Sequence, residues 1–289
     1  VNILVFTDND LDGAGSALFI KWLYNTKIVD FIVIETSELS FTNEINNRKH
    51  TLDHFDKVFV LDLDLSPEQI EVVDRSNFVI VDHHIPHSKK VTQYKNAKAI
   101  IEPYTSCIKL LKDKFSSVIK LTSQQDELIK YIDDYDSYKL QYSDSLKLNA
   151  IHKTYNKPKV DKFIEAFYGG FRSYTPHEKN GIKLFIKKFR DQLQGPIYMG
   201  TIKDYKVVSI FADYAVSEVA HFIISRKKAD IGIVINLDAK VVSFRRSKEC
   251  EADVSVLAKA FCAGGGSPAI AGGKLTDEFA NLTKNFLPC

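Results

Sequence analysis

"NILVFTDNDLDG", residues 2–13, runs from six residues rich in apolar and β-branched side chains straight into three aspartates on alternate positions, Asp8, Asp10 and Asp12. The first half suits a strand buried on both faces. The second half crowds negative charge onto the end of that strand. Three similar runs follow: "DFIVIE" (30–35), "KVFVLDLD" (57–64) and "NFVIVDHH" (77–84). Between them lie helix-like stretches, "GAGSALFIKWLYN", the region 41–56, and "SPEQIEVVDRS", where Ser66, Pro67 and Glu68 form a helix start. Strand alternating with helix predicts an α/β fold, a parallel sheet with helices on both faces.

In such a sheet, ligands gather at the carboxyl ends of the strands. That rule brings four stretches to one edge: "DNDLDG" (8–13), Asp62 and Asp64, "DHH" (82–84), and "YIDDYD" (131–136) at the end of a later helix. So many carboxylates would repel one another and be pushed toward protonation. Divalent cations are the economical remedy. A donor set of carboxylates and imidazoles without thiolate favours Mn²⁺ or Mg²⁺, and the number of carboxylates suits two ions.

Composition limits the alternatives. The chain has 289 residues, 45% hydrophobic and 26% charged, ordinary for a globular protein with room for two domains. With 39 basic against 37 acidic side chains, it cannot hold nucleic acid by net charge, so any such binding must be local. Cys107, Cys250, Cys262 and Cys289 form no CxxC pair, as expected of reduced thiols in the cytoplasm. No run of about 18 apolar residues and no leader-like start is present, so a soluble protein with no membrane partner is expected. Oligomeric state is left open, a homodimer included.

"DNDLDGAGSA" (8–17), Asp62, "VDHH" (81–84), "DDYD" (133–136), "SFRRS" (243–247), "DVS" (253–255) and "GGGSPAIAGG" (264–273) together resemble the DHH phosphoesterase superfamily, with a DHH-associated domain at the C-terminus. The resemblance spans most of the chain and rests on the order and spacing of the motifs. It implies two Mn²⁺ ions that activate a water to attack phosphorus, with Mg²⁺ as the other candidate. Carried over by residue, Asp8 stands where many members have His and the RecJ-like exonucleases have Asp. Asp10 and Asp12 would each hold one ion, and Asp62 would bridge them, with Asp64 as its rival because strand alternation points both to one side. His83 would be the imidazole ligand, oriented by Asp82. His84 would face the substrate phosphate. Asp134 is the expected last ligand, with Asp136 the alternative.

The expected domains are a DHH catalytic domain over 1–150, a helical linker region over 151–194, and a smaller α/β DHH-associated domain over 195–289 that binds substrate in a cleft against the first. Arg245 and a loop of Gly264, Gly265, Gly266 and Ser267 would grip phosphate or sugar. Ser267 departs from the family's usual His there, which weakens the grip more than the chemistry. The implied substrates are short oligonucleotides or single-stranded nucleic acid cut from an end. A RecJ-like exonuclease, a hydrolase of cyclic dinucleotides or other small phosphoesters, and a metal-free binding module are the rivals, the last disfavoured because nearly every ligand is kept. Other residues read plainly. Asp64 and Asp133 suit surface or capping roles, His87 a loop, His152 a polar setting without metal, Trp22 the core, and the Lys-rich clusters at 185–190 and 225–228 solvated helix faces.

Overall fold

The computed structural model describes residues 1–247, 250–266 and 268–276. The chain divides into two compact units, Val1–Ile182 and Lys183–Cys289.

The first unit opens with strand β1 (Asn2–Asp8), whose Ile3, Leu4, Val5 and Phe6 are all buried. Helix α1 (Leu11–Tyr24) follows at once. Asp10 caps it, its carboxylate accepting from the Gly13 N–H at 2.8 Å. Gly13 must be glycine, because a Cβ there would collide with the Asp8 carbonyl oxygen. Then come β2 (Asp30–Thr36), α2 (Glu38–Arg48), β3 (Lys57–Leu61), α3 (Pro67–Val73), β4 (Phe78–Asp82), α4 (Ile85–Ser88) and β5 (Lys98–Ile101). All five strands pair in parallel in the order β2-β1-β3-β4-β5. The chain therefore leaves β1 toward one edge and returns to its other side with β3. That reversal opens a crevice at the carboxyl ends of β1 and β3.

Alternation sorts the sheet's two faces. Leu4, Phe6, Val58, Val60, Phe78 and Ile80 form one core with Phe41 and Ile45 of α2 and Ile70 and Val73 of α3. Phe6 and Phe41 meet edge to face at 5.4 Å between ring centroids, and fully burying such a ring stabilises the fold by roughly 1.5–3 kcal/mol. α1 covers the opposite face with α5 (Cys107–Phe115) and, behind them, α6 (Ser123–Asp136), α7 (Ser143–Thr154) and α8 (Lys159–Phe167). Packed among them, α1 is buried continuously from Leu11 to Ile20, and Trp22 is also in the core.

Three expectations need correction here. The third strand ends at Leu61, and Asp62 turns the backbone into the left-handed region at φ 58°. Strand alternation thus does not relate Asp62 to Asp64. The expected linker over 151–194 is not a linker in its first part. α8 buries Val160, Phe163, Ile164 and Phe167, and the Trp22 indole donates to the Tyr168 carbonyl at 2.6 Å, so residues through Ile182 belong to the first unit. The division falls within α9 (Pro176–Gln192). His152 is buried rather than in polar surroundings, its ring edge-to-face with Phe163.

The second unit holds β6 (Tyr198–Ile202), β7 (Tyr205–Phe211), α10 (Val216–Lys227), β8 (Ile231–Asn236), β9 (Val241–Arg246), α11 (Val254–Phe261), β10 (Ala263–Gly266) and β11 (Ile270–Lys274). Its six strands run β10-β11-β9-β8-β7-β6, with β7 and β8 parallel and the other pairs antiparallel. The expected glycine loop is instead strand β10, paired with β11. At Gly264 a Cβ would collide with the Gly272 carbonyl, so the two glycine-rich strands approach more closely than side chains would allow.

Candidate metal centre

Sheet register builds the site. Thr7 pairs with Leu61 and Leu61 with Val81, so the next residues on three neighbouring strands, Asp8, Asp62 and Asp82, come level at the carboxyl edge. The Asp62 N–H donates to the Val81 carbonyl at 3.0 Å, which fixes the turn that buries its side chain. Asp12 lies in the first turn of α1 and is 1% exposed. Its carboxylate accepts from the Cys107 N–H at 2.6 Å and the Ile108 N–H at 3.0 Å, and so sits on the positive end of α5.

His83 stands among carboxylates from three elements. Its Nε2 is 3.2 Å from Asp62 Oδ1, 3.6 Å from Asp136 Oδ2 and 3.8 Å from Asp12 Oδ2. On the ring's other side, Nδ1 is 3.3 Å from the Tyr104 carbonyl oxygen, which holds the ring with Nε2 inward. Asp62 Oδ1 is buried and makes no well-aligned hydrogen bond, its nearest polar neighbour being His83 Nε2. Such an atom costs about 1–3 kcal/mol unless something else binds it.

The electrostatics carry the same imprint. Burial, then the Asp10 charge, pushes both Asp8 and Asp62 up to about 7. Burial and Asp62 push Asp12 well up, and burial and Asp12 do the same to Asp136. Burial pulls the His83 imidazole down, but Asp62, Asp12 and Asp136 outweigh it and lift it to about 11. A bound cation would replace that proton and relieve the repulsion among the acids.

The structure gathers Asp12, Asp62 and His83 at the centre, with Asp8 and the exposed Asp10 on its electrostatic margin. Asp134, the expected last ligand, faces away. Its carboxylate accepts from the Gln141 N–H at 3.0 Å, the Tyr142 N–H at 3.1 Å and the Ser145 hydroxyl at 2.6 Å. Two residues along a helix are about 200° apart, so Asp136 presents its carboxylate where Asp134 cannot. Asp64 pairs with Lys90 Nζ at 2.5 Å, leaving the edge to Asp62.

Asp82 also differs from expectation. It touches His83 only through that residue's backbone N–H, at 2.8 Å. Its two oxygens instead accept from the Nδ1 atoms of His84 and His87, each at 2.7 Å. Burial would raise the Asp82 carboxyl, but these ring donors hold it well below the ordinary range. His84 is lifted to about 10, Asp82 overcoming the opposing effect of burial. Its side chain remains 43% exposed. His87, expected in a loop, is fully buried in α4. The only sequence sign of it was its place five residues after Asp82, with Pro86 tightening the turn between.

In the second unit, the Arg245 guanidinium donates to the Ser217 hydroxyl at 3.0 Å, and Gly264, Gly265 and Gly266 lie in β10. Ser267 lies outside the described residues.

The donor set, carboxylates and imidazole without thiolate, fits a hard divalent cation, and one buried carboxylate oxygen in it makes no well-aligned hydrogen bond. A doubly wound parallel sheet carrying this cluster at its switch point defines an α/β protein with a candidate metal centre. Residues 2–137 match the model described as DHH family, N-terminal domain, so this stretch is a DHH-family domain.

Solved structures agree in fold over nearly the whole chain. A pGpG-specific phosphodiesterase, PggH from Vibrio cholerae, is 14% identical with a TM-score of 0.63, covering 99% of this chain and 97% of its own. An exonuclease RecJ bound to manganese is 10% identical with a TM-score of 0.58, covering 98% and 88%. RecJ from Thermus thermophilus in complex with Mn²⁺ is 10% identical with a TM-score of 0.56, and the match spans 98% of this chain but 51% of that one. No curated protein matches the sequence. Among the described residues, no helix is long and apolar enough to cross a membrane.

Proposed function

We propose that the protein is a metal-dependent phosphodiesterase that hydrolyses short oligonucleotides, or single-stranded nucleic acid, from an end. The observation that carries the reading is His83 Nε2 standing 3.2–3.8 Å from Asp62, Asp136 and Asp12, a buried cluster in which Asp62 Oδ1 makes no well-aligned hydrogen bond. Asp12, Asp62, His83 and Asp136 would hold one cation, and Asp8 and Asp10 a second with Asp62 shared between them. Mn²⁺ is the favoured ion and Mg²⁺ the alternative. Bound there, two such ions supply a water of lowered pKa and neutralise charge on phosphate oxygens.

The chain's own residues do the rest. The α5 N-terminus fixes Asp12, the β3 turn fixes Asp62, and the Tyr104 carbonyl turns the His83 ring inward. His84, oriented by Asp82 and partly exposed, is the side chain placed to meet a phosphate oxygen. Arg245 and the Gly264–Gly266 strand are the proposed grip on substrate, with Ser267 completing it.

Short substrates are favoured because a phosphodiesterase named for pGpG shares the fold, with a TM-score of 0.63. The RecJ-like reading keeps one residue in its favour, the aspartate at position 8. The test is a Mn²⁺-dependent cleavage time course on end-labelled RNA and DNA, from dinucleotides to long single strands, with pGpG and cyclic di-AMP alongside. Turnover confined to the shortest linear substrates is expected. Processive loss of long DNA would replace that reading with the RecJ-like one, and no turnover on any phosphodiester would refute both.

A further inference from the structure

Beyond the ligands, a buried line of hydrogen bonds runs through Asp82. The Tyr94 hydroxyl lies 2.7 Å from His87 Nε2, His87 Nδ1 lies 2.7 Å from Asp82 Oδ2, and Asp82 Oδ1 lies 2.7 Å from His84 Nδ1. An ionised carboxylate only accepts, so both imidazoles carry their proton on Nδ1. His87 Nε2 and the Tyr94 hydroxyl then satisfy each other. Hydrogen bonds therefore reach Asp82 from a ring on either side, and the inner atoms of the line are all satisfied. The line ends at His84 Nε2, the outward ring atom of a side chain 43% exposed.

Both inner members are firmly seated. His87 is held in the short helix α4, which begins Ile85, Pro86, and it is completely buried. Tyr94 packs against the core formed by β1, β3 and β4 with α2 and α3. A buried imidazole that served only to fill space could be replaced by an apolar side chain without leaving polar atoms to satisfy. Here it instead fixes the second oxygen of Asp82 while the first holds His84.

We propose that His87 and Tyr94 are positioning residues, which lock the Asp82 carboxylate so that it aims His84 Nε2 at the substrate phosphate. The aim matters because His84 can help only where its N–H meets an oxygen whose charge grows in the transition state. The proposal rests on the phosphodiesterase reading for its target, and on the hydrogen-bond geometry alone for its line of residues.

The test uses the full chain with His87→Leu, His87→Asn and Tyr94→Phe, the asparagine keeping an N–H donor near the place of Nδ1. Proton NMR should show downfield ring N–H signals from His84 and His87, assigned with His84→Ala. His87→Leu is expected to shift or broaden the His84 signal and to lower kcat roughly 10–100-fold, the range for lost outer partners of active-site groups. Mn²⁺ affinity, read by titration, should fall less than kcat does, since His87 and Tyr94 reach the centre only through Asp82 and His84. His87→Asn should recover most of kcat, and Tyr94→Phe should lose only a few-fold. An unchanged His84 signal with wild-type kcat in His87→Leu would overturn the proposal. Equal losses in the leucine and asparagine variants, tracking a fall in melting temperature, would overturn it too by showing a packing role. Should His87→Leu not fold, Tyr94→Phe decides by the same readouts. The NMR arm needs no substrate, so a failed phosphodiesterase reading and a failed hydrogen-bond line give separate results.

Discussion

Asp62 and Asp134 are equally buried aspartates, 4% and 3% exposed, at the carboxyl end of a strand and near the end of a helix. Three donors from the segment after α6 satisfy Asp134, and its carboxylate ties that segment down. Asp62 Oδ1 makes no well-aligned hydrogen bond, and its neighbours are other acids and, at 3.2 Å, a histidine that they hold charged. Burial alone does not separate a structural carboxylate from one kept for a ligand. The inventory of partners does.

The largest expected effects come from breaking each side of that contrast. Asp62→Asn should abolish turnover and Mn²⁺ binding while leaving the metal-free protein at least as stable as wild type, because it removes a buried charge from a repelling group. Asparagine is the right replacement, since it tolerates the left-handed backbone that alanine would occupy at a cost of about 1–2 kcal/mol. Asp134→Ala should do the reverse. Leaving two backbone N–H groups and a buried hydroxyl unpaired should cost about 3 kcal/mol, read as a lower urea midpoint, with Mn²⁺ affinity largely kept. An Asp62→Asn protein that still binds Mn²⁺ tightly, or an Asp134→Ala protein that folds normally but has lost the metal, would exchange the two roles.

A smaller effect follows from pH. Asp8 and Asp62 rise from 3.8 in the unfolded chain to about 7 in the fold, so between about pH 4 and 7 the folded, metal-free protein holds protons that the unfolded chain has released. Stability should therefore fall as pH rises through that window, by up to about 1.4 kcal/mol per unit for each proton. His83 and His84 act in the same direction at higher pH. Their contribution is complete below 6.5 and is lost as pH rises through about 10 and 11. Glu178 opposes them at the acid end. Although burial would raise it, the Arg172 guanidinium holds it at about 2, so its contribution is present above 4.5 and lost below. Thermal melts in EDTA should thus be highest near pH 4–5 and decline above. Mn²⁺ should restore most stability at the alkaline end, where its ligands are free of protons. A metal-free melting temperature that is flat from pH 4 to 7 would contradict the raised carboxylates.

Much of this was legible in the residues. Continuous apolar runs located β1, β2, β3 and β4, and the strand-end rule gathered the right stretches at one edge. What failed was local geometry that no period encodes. Choosing Asp136 over Asp134 needs the facing of α6, which depends on where that helix packs. The partners of Asp82 depend on the four-residue helix that folds His87 back beneath it. "AGGGS" read as a loop because glycines usually mark one, whereas here they let β10 lie close against β11. The linker failed for a similar reason. Lys-rich helices look solvated until their apolar stripe, Val160, Phe163, Ile164 and Phe167 in α8, finds a partner.

The smallest expected effect tests the rivalry that alternation left open. Asp64 stands two residues after Asp62, and in a continued strand the two would share a face. The left-handed turn at Asp62 breaks that relation and sends Asp64 to Lys90, which also donates to the Leu65 carbonyl at 2.5 Å. Both partners of the pair are 20% exposed, so solvent weakens it and Asp64→Ala should cost no more than about 1 kcal/mol. Lys90 keeps the Leu65 carbonyl in the variant, which limits the loss further. Turnover and Mn²⁺ affinity should match wild type. If Asp64→Ala instead loses metal as Asp62→Asn should, the turn at Asp62 does not separate their roles, and the centre is built around the later aspartate.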